Sequence, residues 1–97
     1  MDGDEDLVRE ISLAFLKDMP HKCEVLRDLL KTRELQAITR QAHSIKGAAA
    51  NAGAVSMHNI AIALEDAGQR ADWEQITKLA FNLQQEFARF KDIVKSG

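Results

Sequence analysis

The sequence has few of the residues that interrupt helices or form disulfide frameworks. It contains one proline, one cysteine, five glycines and no tyrosine. A single cysteine excludes an internal disulfide bond and fits a reducing cytoplasm better than a secreted context. Alanine, leucine, glutamate, lysine and glutamine are abundant, and these residues lose little conformational freedom in a helix. The composition therefore predicts an all-α protein.

The sequence also lacks an excess of positive charge and a long apolar segment. Thirteen lysine and arginine residues stand against fifteen aspartate and glutamate residues, for a net charge of -2, which argues against nucleic-acid binding. The longest segment without a charged residue, Gly47 to Leu64, is interrupted by polar side chains and makes a poor membrane span. The first residues are acidic where a signal peptide is basic. We expect one cytoplasmic domain over residues 1–97.

Apolar residues recur at helical spacing in five segments, and the first two flank the only proline. The first segment predicts a helix over about residues 4–18. Pro20 has no backbone N–H group to donate, so we expect it in the first turn of a second helix that runs to Lys31. Thr32 is then the expected N-cap of the third helix.

The three remaining segments carry more regular apolar stripes. Gly53 is expected to end the third helix, and residues 68–72 are expected to form a turn, after which Asp72 and Gln75 have the form of a capping box. The stripe of the third helix alternates spacings of three and four through Leu35, Ile38, Ala42, Ile45, Ala49 and Ala52. This pattern is typical of a helix packed lengthwise in a bundle. We predict an antiparallel up-and-down four-helix bundle with an additional N-terminal helix.

The segment around His43 combines residues that suit a chemical role. At about 100° per residue, the core stripe of the third helix turns His43 toward solvent. Gly47 lies at the position whose side chain would cover the imidazole, although glycine inside a helix costs about 0.5 to 1 kcal/mol relative to alanine. Lys46 brings an ammonium group to the same side. The set offers a nucleophile, room for an incoming carboxylate or phosphate, and a cation.

These residues resemble the signature of histidine-containing phosphotransfer domains. The matching positions, in order, are His43, Ile45, Lys46, Gly47, Ala48, Ala49 and Gly53. The resemblance implies that His43 accepts a phosphoryl group from a receiver-domain aspartate of a response regulator and passes it to another receiver aspartate. It also implies a carrier rather than an enzyme, with no bound cofactor of its own, because the partner receiver supplies Mg²⁺ and most catalytic groups.

Further site residues follow from the antiparallel arrangement of the third and fourth helices. Glu65 shares a face of the fourth helix with His58 and Ile62, and the resemblance implies that its carboxylate can bond the ring nitrogen of the histidine that is not phosphorylated. We expect Ile62, an exposed apolar residue, to contact the partner. The remaining docking residues that we predict are Ile11, Phe15 and Arg40, and the histidines expected to be simple surface residues are His21 and His58.

Two other functional classes remain open at this stage. One is a helical adaptor that has kept the fold and lost the chemistry, which the intact set of His43, Lys46 and Gly47 argues against. The other is a metal-bound four-helix enzyme, which needs inward Glu-x-x-His pairs that this sequence lacks. Within the phosphotransfer class, we expect a monomeric domain of a hybrid sensor histidine kinase whose parent protein has a membrane anchor, rather than a free-standing carrier.

Overall fold

Four helices make up the computed structural model, which describes the backbone of residues 2–96 and the side chains of residues 9–94. They are α1 (Asp2–Thr32), α2 (Leu35–Ala52), α3 (Val55–Gln69) and α4 (Trp73–Ser96). Short turns join them, so consecutive helices run antiparallel, and α4 returns to contact α1. The described part of the chain holds no strand, and none of its helices is long and apolar enough to span a membrane. The all-α up-and-down bundle is confirmed.

The additional N-terminal helix is not present, because α1 continues through Pro20. The residues Phe15, Met19, Cys23 and Leu26 are all buried, and their spacing places them on one stripe of a single helix. A break at Pro20 would divide this stripe. Pro20 itself lies on the exposed side, where the one missing backbone hydrogen bond, a cost of about 3 kcal/mol or more, is outweighed by continuous burial of the stripe.

Thr32 does not cap the helix that follows it. It is the last residue of α1, and its hydroxyl donates to the carboxylate of Glu34 at 2.7 Å. Glu34 occupies the N-cap position of α2 and makes no capping bond with its side chain. The chain reverses through Arg33, which has a left-handed φ of 55°. The prediction failed because a threonine can satisfy groups at either end of a helix.

The other two turns agree more closely with the sequence. Gly53 ends α2 with a left-handed φ of 71°, which glycine adopts without steric penalty. Asp72 accepts a hydrogen bond from the amide of Gln75 at 3.3 Å, as expected of a capping residue. The turn before it is shorter than predicted, because α3 continues to Gln69. Ala71 takes a left-handed φ of 55° in this turn.

Small residues let α2 and α3 approach closely. Gly68 is buried on α3, and a methyl group added to it would meet the hydroxyl of Thr39 on α2 and come within 3.3 Å of its Cβ. Thr39 cannot swing away freely, because its hydroxyl donates to the carbonyl of Leu35. The fully buried face of α2 consists of Ile38, Ala42, Ile45 and Ala49. These are the four central residues of the predicted stripe, whose ends, Leu35 and Ala52, are half-buried. The stripe determines which residues of α2 face outward.

Candidate functional site

His43 lies in the middle of α2 with its side chain 66% exposed. Its neighbour Ala42 is fully buried, and the turn of about 100° between adjacent helical residues carries the imidazole to the outside of the bundle. The predicted exposure of His43 is therefore confirmed. The ring is reachable by another protein, which a phosphoacceptor requires.

Glu65 of α3 joins His43 and Lys46 into one cluster. One carboxylate oxygen, Oε2, lies 2.9 Å from Nδ1 of His43, and the other, Oε1, accepts a hydrogen bond from Nζ of Lys46 at 2.7 Å. An ionised carboxylate can only accept, so Nδ1 carries the proton in this bond. In the neutral form of this ring Nε2 keeps its lone pair, which makes it the nucleophilic position.

The contacts of Glu65 also fix its charge. The hydrogen bond from Lys46 is the largest influence and lowers the pKa of the Glu65 carboxyl below its ordinary value. Partial burial acts in the opposite direction, and the hydrogen bond with His43 lowers the pKa further. Glu65 is therefore ionised at neutral pH and holds the imidazole in one tautomer.

Gly47 follows Lys46 on the exposed side of α2. A Cβ atom added to it would meet no heavy atom within 4 Å. Nothing in the packing of the bundle therefore demands glycine at this position, although glycine weakens the helix. The missing side chain leaves open space on the exposed face of α2, four residues after His43.

Lys46 lies on the same side of α2 as His43, as the sequence predicts. Its side chain is 28% exposed, and its ammonium is held by the carboxylate that also holds the imidazole. A cation with one short contact and partial exposure can still reach a negatively charged group that arrives beside the ring. The geometry agrees with a role in balancing phosphate charge.

The predicted docking residues fall into two groups. Ile62 is 44% exposed on α3, Arg40 is exposed on α2, and Ile11 is half-buried on α1, so all three present some surface to a partner. Phe15 is 5% exposed, and its ring packs edge-on against Phe87 and Phe90 at centroid distances of 6.0 and 5.1 Å. Phe15 belongs to the core, which corrects its assignment as a docking residue.

Sequence reasoning missed polar contacts around this cluster. His58, expected to be a surface residue, is half-buried, and its Nδ1 lies 3.2 Å from the carbonyl oxygen of Lys46. On the other flank, Nζ of Lys22 donates to the hydroxyl of Ser44 at 2.8 Å. The position of His58 on the Glu65 face was visible in the sequence, whereas its partner is a backbone carbonyl, which no side-chain pattern reveals.

Other reactive groups in the described residues do not form a competing site. No group of three or more histidine, cysteine, aspartate or glutamate side chains there is arranged to hold a metal ion. Cys23 is buried in the core, and burial raises the pKa of its thiol despite the opposing charge of Arg27. A thiol in that state is a poor nucleophile.

Comparison with known proteins agrees with this geometry. The family model for the Hpt domain matches residues 10–93, a span that contains every residue of the cluster. No curated protein and no solved structure matches the chain. Members of the matched family are phosphocarriers that interact with receiver domains and are not enzymes in the usual sense. The chain thus belongs to the Hpt domain family, whose members take part in histidine phosphotransfer in two-component signalling.

Proposed function

We propose that this chain is a phosphorelay carrier in which His43 accepts a phosphoryl group from one receiver-domain aspartate and delivers it to another. The observation that carries the proposal is the exposed imidazole whose Nδ1 is held by Glu65 at 2.9 Å. This bond leaves Nε2 as the attacking atom. A histidine held in one tautomer and open to solvent suits transfer between two proteins better than a role inside the bundle.

The reaction exchanges one bond to phosphorus for another. The Nε2 lone pair of His43 attacks phosphorus, the P–O bond of the aspartyl phosphate breaks, and the aspartate leaves as a carboxylate. The phosphorylated ring keeps its proton on Nδ1 and becomes cationic, and the ionised Glu65 carboxylate stabilises it. Delivery to the second receiver reverses these steps. Lys46 balances charge on the phosphoryl oxygens, while Mg²⁺ and the remaining catalytic groups belong to the receiver.

The partner contacts follow from the same geometry. We define the docking surface as the exposed side of α2 around His43, with Arg40 and Gly47 upon it, together with Ile62 of α3 and Ile11 of α1 beside it. Ile62 offers apolar area, and Arg40 offers an exposed cation. A receiver active site that holds aspartates and a phosphoryl group is negatively charged, so cations around His43 favour the encounter.

The proposed setting is a hybrid sensor histidine kinase in the cytoplasm. In that setting the domain acts as a monomer, receives its phosphoryl group from a receiver and contacts neither membrane nor nucleic acid directly. The net charge of -2 agrees with the absence of nucleic-acid binding.

Transfer from a phosphorylated receiver tests the proposal. A receiver charged with radiolabelled phosphate is mixed with the chain, and we expect label on the chain that survives alkali and is lost in acid. His43→Gln should abolish the label without changing the helix content measured by circular dichroism. His21→Gln, which changes an exposed histidine of α1, should retain it. Label that persists on the His43→Gln variant would contradict the proposal, and a wild-type chain that takes up no label from any receiver of its source organism would favour the adaptor instead.

A further inference from the structure

Hydrogen bonds between helices are concentrated on a six-residue segment of α2. Six hydrogen bonds of the described side chains join different helices, and five of them end on α2 between Gln41 and Lys46. The sixth joins Arg27 of α1 to Gln84 of α4. Most hydrogen bonds that these side chains form between helices therefore end on the segment of α2 that presents His43.

The α1 flank of this segment is held at two points. Nζ of Lys22 donates to the hydroxyl of Ser44 at 2.8 Å, and Nε2 of Gln41 donates to the carbonyl oxygen of Lys22 at 3.0 Å. Both bonds are partly buried, which protects them from competition with water. They fix the position of this segment on its α1 side.

The α3 flank holds Lys46 at both of its ends. The Glu65 carboxylate binds the ammonium of Lys46 at 2.7 Å, and the imidazole of His58 lies 3.2 Å from the backbone carbonyl of the same residue. A carbonyl oxygen can only accept, so Nδ1 of His58 is the donor. His58 and Glu65 are seven residues apart on α3, which places them two turns apart on one face.

We propose that His58 is a positioning residue for phosphotransfer and acts through Lys46. This inference rests on the proposed function. Gly47 follows Lys46 directly, and a glycine inside a helix leaves the backbone at that point easier to distort. The bond from His58 holds the Lys46 carbonyl against α3 just before this weak point. The backbone from which the Lys46 side chain extends then keeps its position, so the ammonium starts from a fixed point near Glu65 when a charged partner arrives, and part of the ordering needed for transfer is already complete.

Transfer kinetics with a phosphorylated receiver test the role of His58. We expect His58→Ala to lower the maximal transfer rate about fivefold, which corresponds to about 1 kcal/mol for one hydrogen bond. The receiver concentration at half-maximal rate should not change, because the proposed role of His58 is exerted on Lys46 and not on the partner. His58→Asn, whose side-chain amide can replace Nδ1 as donor, should keep most of the rate. His21→Ala is the matched control and should behave as wild type.

A double-mutant cycle separates positioning from general support of the fold. If His58 acts through Lys46, His58→Ala should slow transfer about fivefold in the wild-type background and have no further effect in the Lys46→Ala background. An equal loss in both backgrounds would show a merely structural role and overturn the proposal. No loss in the wild-type background would also overturn it.

Amide hydrogen exchange gives a readout that does not depend on transfer. The amide of Ala50 bonds the Lys46 carbonyl within α2, so its exchange should become about fivefold faster in His58→Ala, the effect of losing one hydrogen bond, and stay near the wild-type rate in His58→Asn. Unchanged exchange at Ala50 in both variants would contradict the proposal. If wild-type protein accepts no phosphoryl group, the proposed function fails, while faster exchange at Ala50 still demonstrates the contact made by His58.

Discussion

The α2–α3 side and the α1–α4 side of this bundle are held together by different kinds of contact. Between α1 and α4, the large ring of Phe15 packs against Phe87 and Phe90. Between α2 and α3, small residues such as Gly68 bring the backbones close, and Glu65 adds two polar bonds. Large apolar rings supply burial and tolerate small shifts, whereas close backbones and short polar bonds fix positions. The α2–α3 contacts therefore fix the positions of the site residues, and the α1–α4 contacts mainly stabilise the fold.

The largest expected effect comes from the α1–α4 side. Phe15→Ala removes the ring that contacts two other aromatic rings, and we expect the free energy of unfolding to fall by about 3 to 5 kcal/mol. Chemical denaturation monitored by circular dichroism measures the change. Phe81→Ala, which removes a phenylalanine that is 62% exposed on α4, should change it by less than about 0.5 kcal/mol. Similar losses for both variants would erase the distinction between the two sides.

On the α2–α3 side, Gly68→Ala should destabilise the protein although alanine favours helix. The new methyl group meets Thr39, and we expect the free energy of unfolding to fall by about 1 to 3 kcal/mol, as for other overpacked sites. Gly68→Ala combined with Thr39→Ala should recover part of the loss, because the hydroxyl in the way is removed. A stabilised Gly68→Ala variant would show that the two helices do not depend on this close approach.

Glu65→Gln tests the polar part of the same interface. The neutral amide cannot stabilise a cationic phosphorylated ring as the carboxylate does, so we expect transfer to His43 to slow about tenfold. The matched control is Asp66→Asn, which neutralises the adjacent exposed carboxylate that pairs with Arg70. Rapid-quench measurement of labelled chain gives both rates. Equal slowing in both variants would point to net charge rather than to the contact with His43.

The same carboxylate predicts a pH dependence of stability. Because the pKa of Glu65 is lowered in the folded protein from its ordinary value of 4.5, the ionised group stabilises the fold above that value. This contribution is lost as the pH falls through the lowered pKa. The difference in the free energy of unfolding between wild type and Glu65→Gln should therefore be largest near neutral pH and shrink in acid. A difference that grows toward acid would mean that the pKa is raised.

The smallest expected change in stability comes from Gly47→Ala, which should affect stability and phosphotransfer in opposite directions. Gly47→Ala adds a methyl group in open space, so the free energy of unfolding should rise by about 0.5 to 1 kcal/mol. Transfer should become slower, because the side chain occupies room that the partner uses beside His43. Thermal unfolding and transfer assays on one preparation give both numbers. A variant that is more stable and equally fast would remove the functional reason for this glycine.

The sequence predicted most of α2 and its site because the information there is periodic. An unbroken alternation of three and four residues defines the buried stripe, and this stripe determines where His43, Lys46 and Gly47 point. The antiparallel packing of consecutive helices also predicted that Glu65 faces His43, and the family resemblance implied its bond to the ring nitrogen. The family resemblance supplied the chemical role, which periodicity alone does not contain.

Three of the errors share one physical cause, which is that tertiary contacts override local signals. Pro20 is a strong local reason to end a helix, yet burial of Met19 between Phe15 and Cys23 keeps α1 continuous. The sequence predicts Gly68 in a turn, whereas the residue lies in α3 and lets the helix come close to Thr39. The sequence predicts His58 at the surface, whereas its ring contacts a backbone carbonyl of another helix. None of these contacts produces a periodic pattern in the amino-acid sequence.

The hydrogen bond between Glu65 and Nδ1 of His43 also determines which stable analogue can represent the phosphorylated domain. Phosphohistidine exists as two isomers, and only the one substituted on the nitrogen distal to the backbone keeps the proximal nitrogen free to donate to Glu65. A hydrolysis-resistant phosphonate analogue installed at this position should therefore carry its phosphonate at the distal site. A phosphonate on the proximal nitrogen would replace the donated hydrogen and break the bond to Glu65.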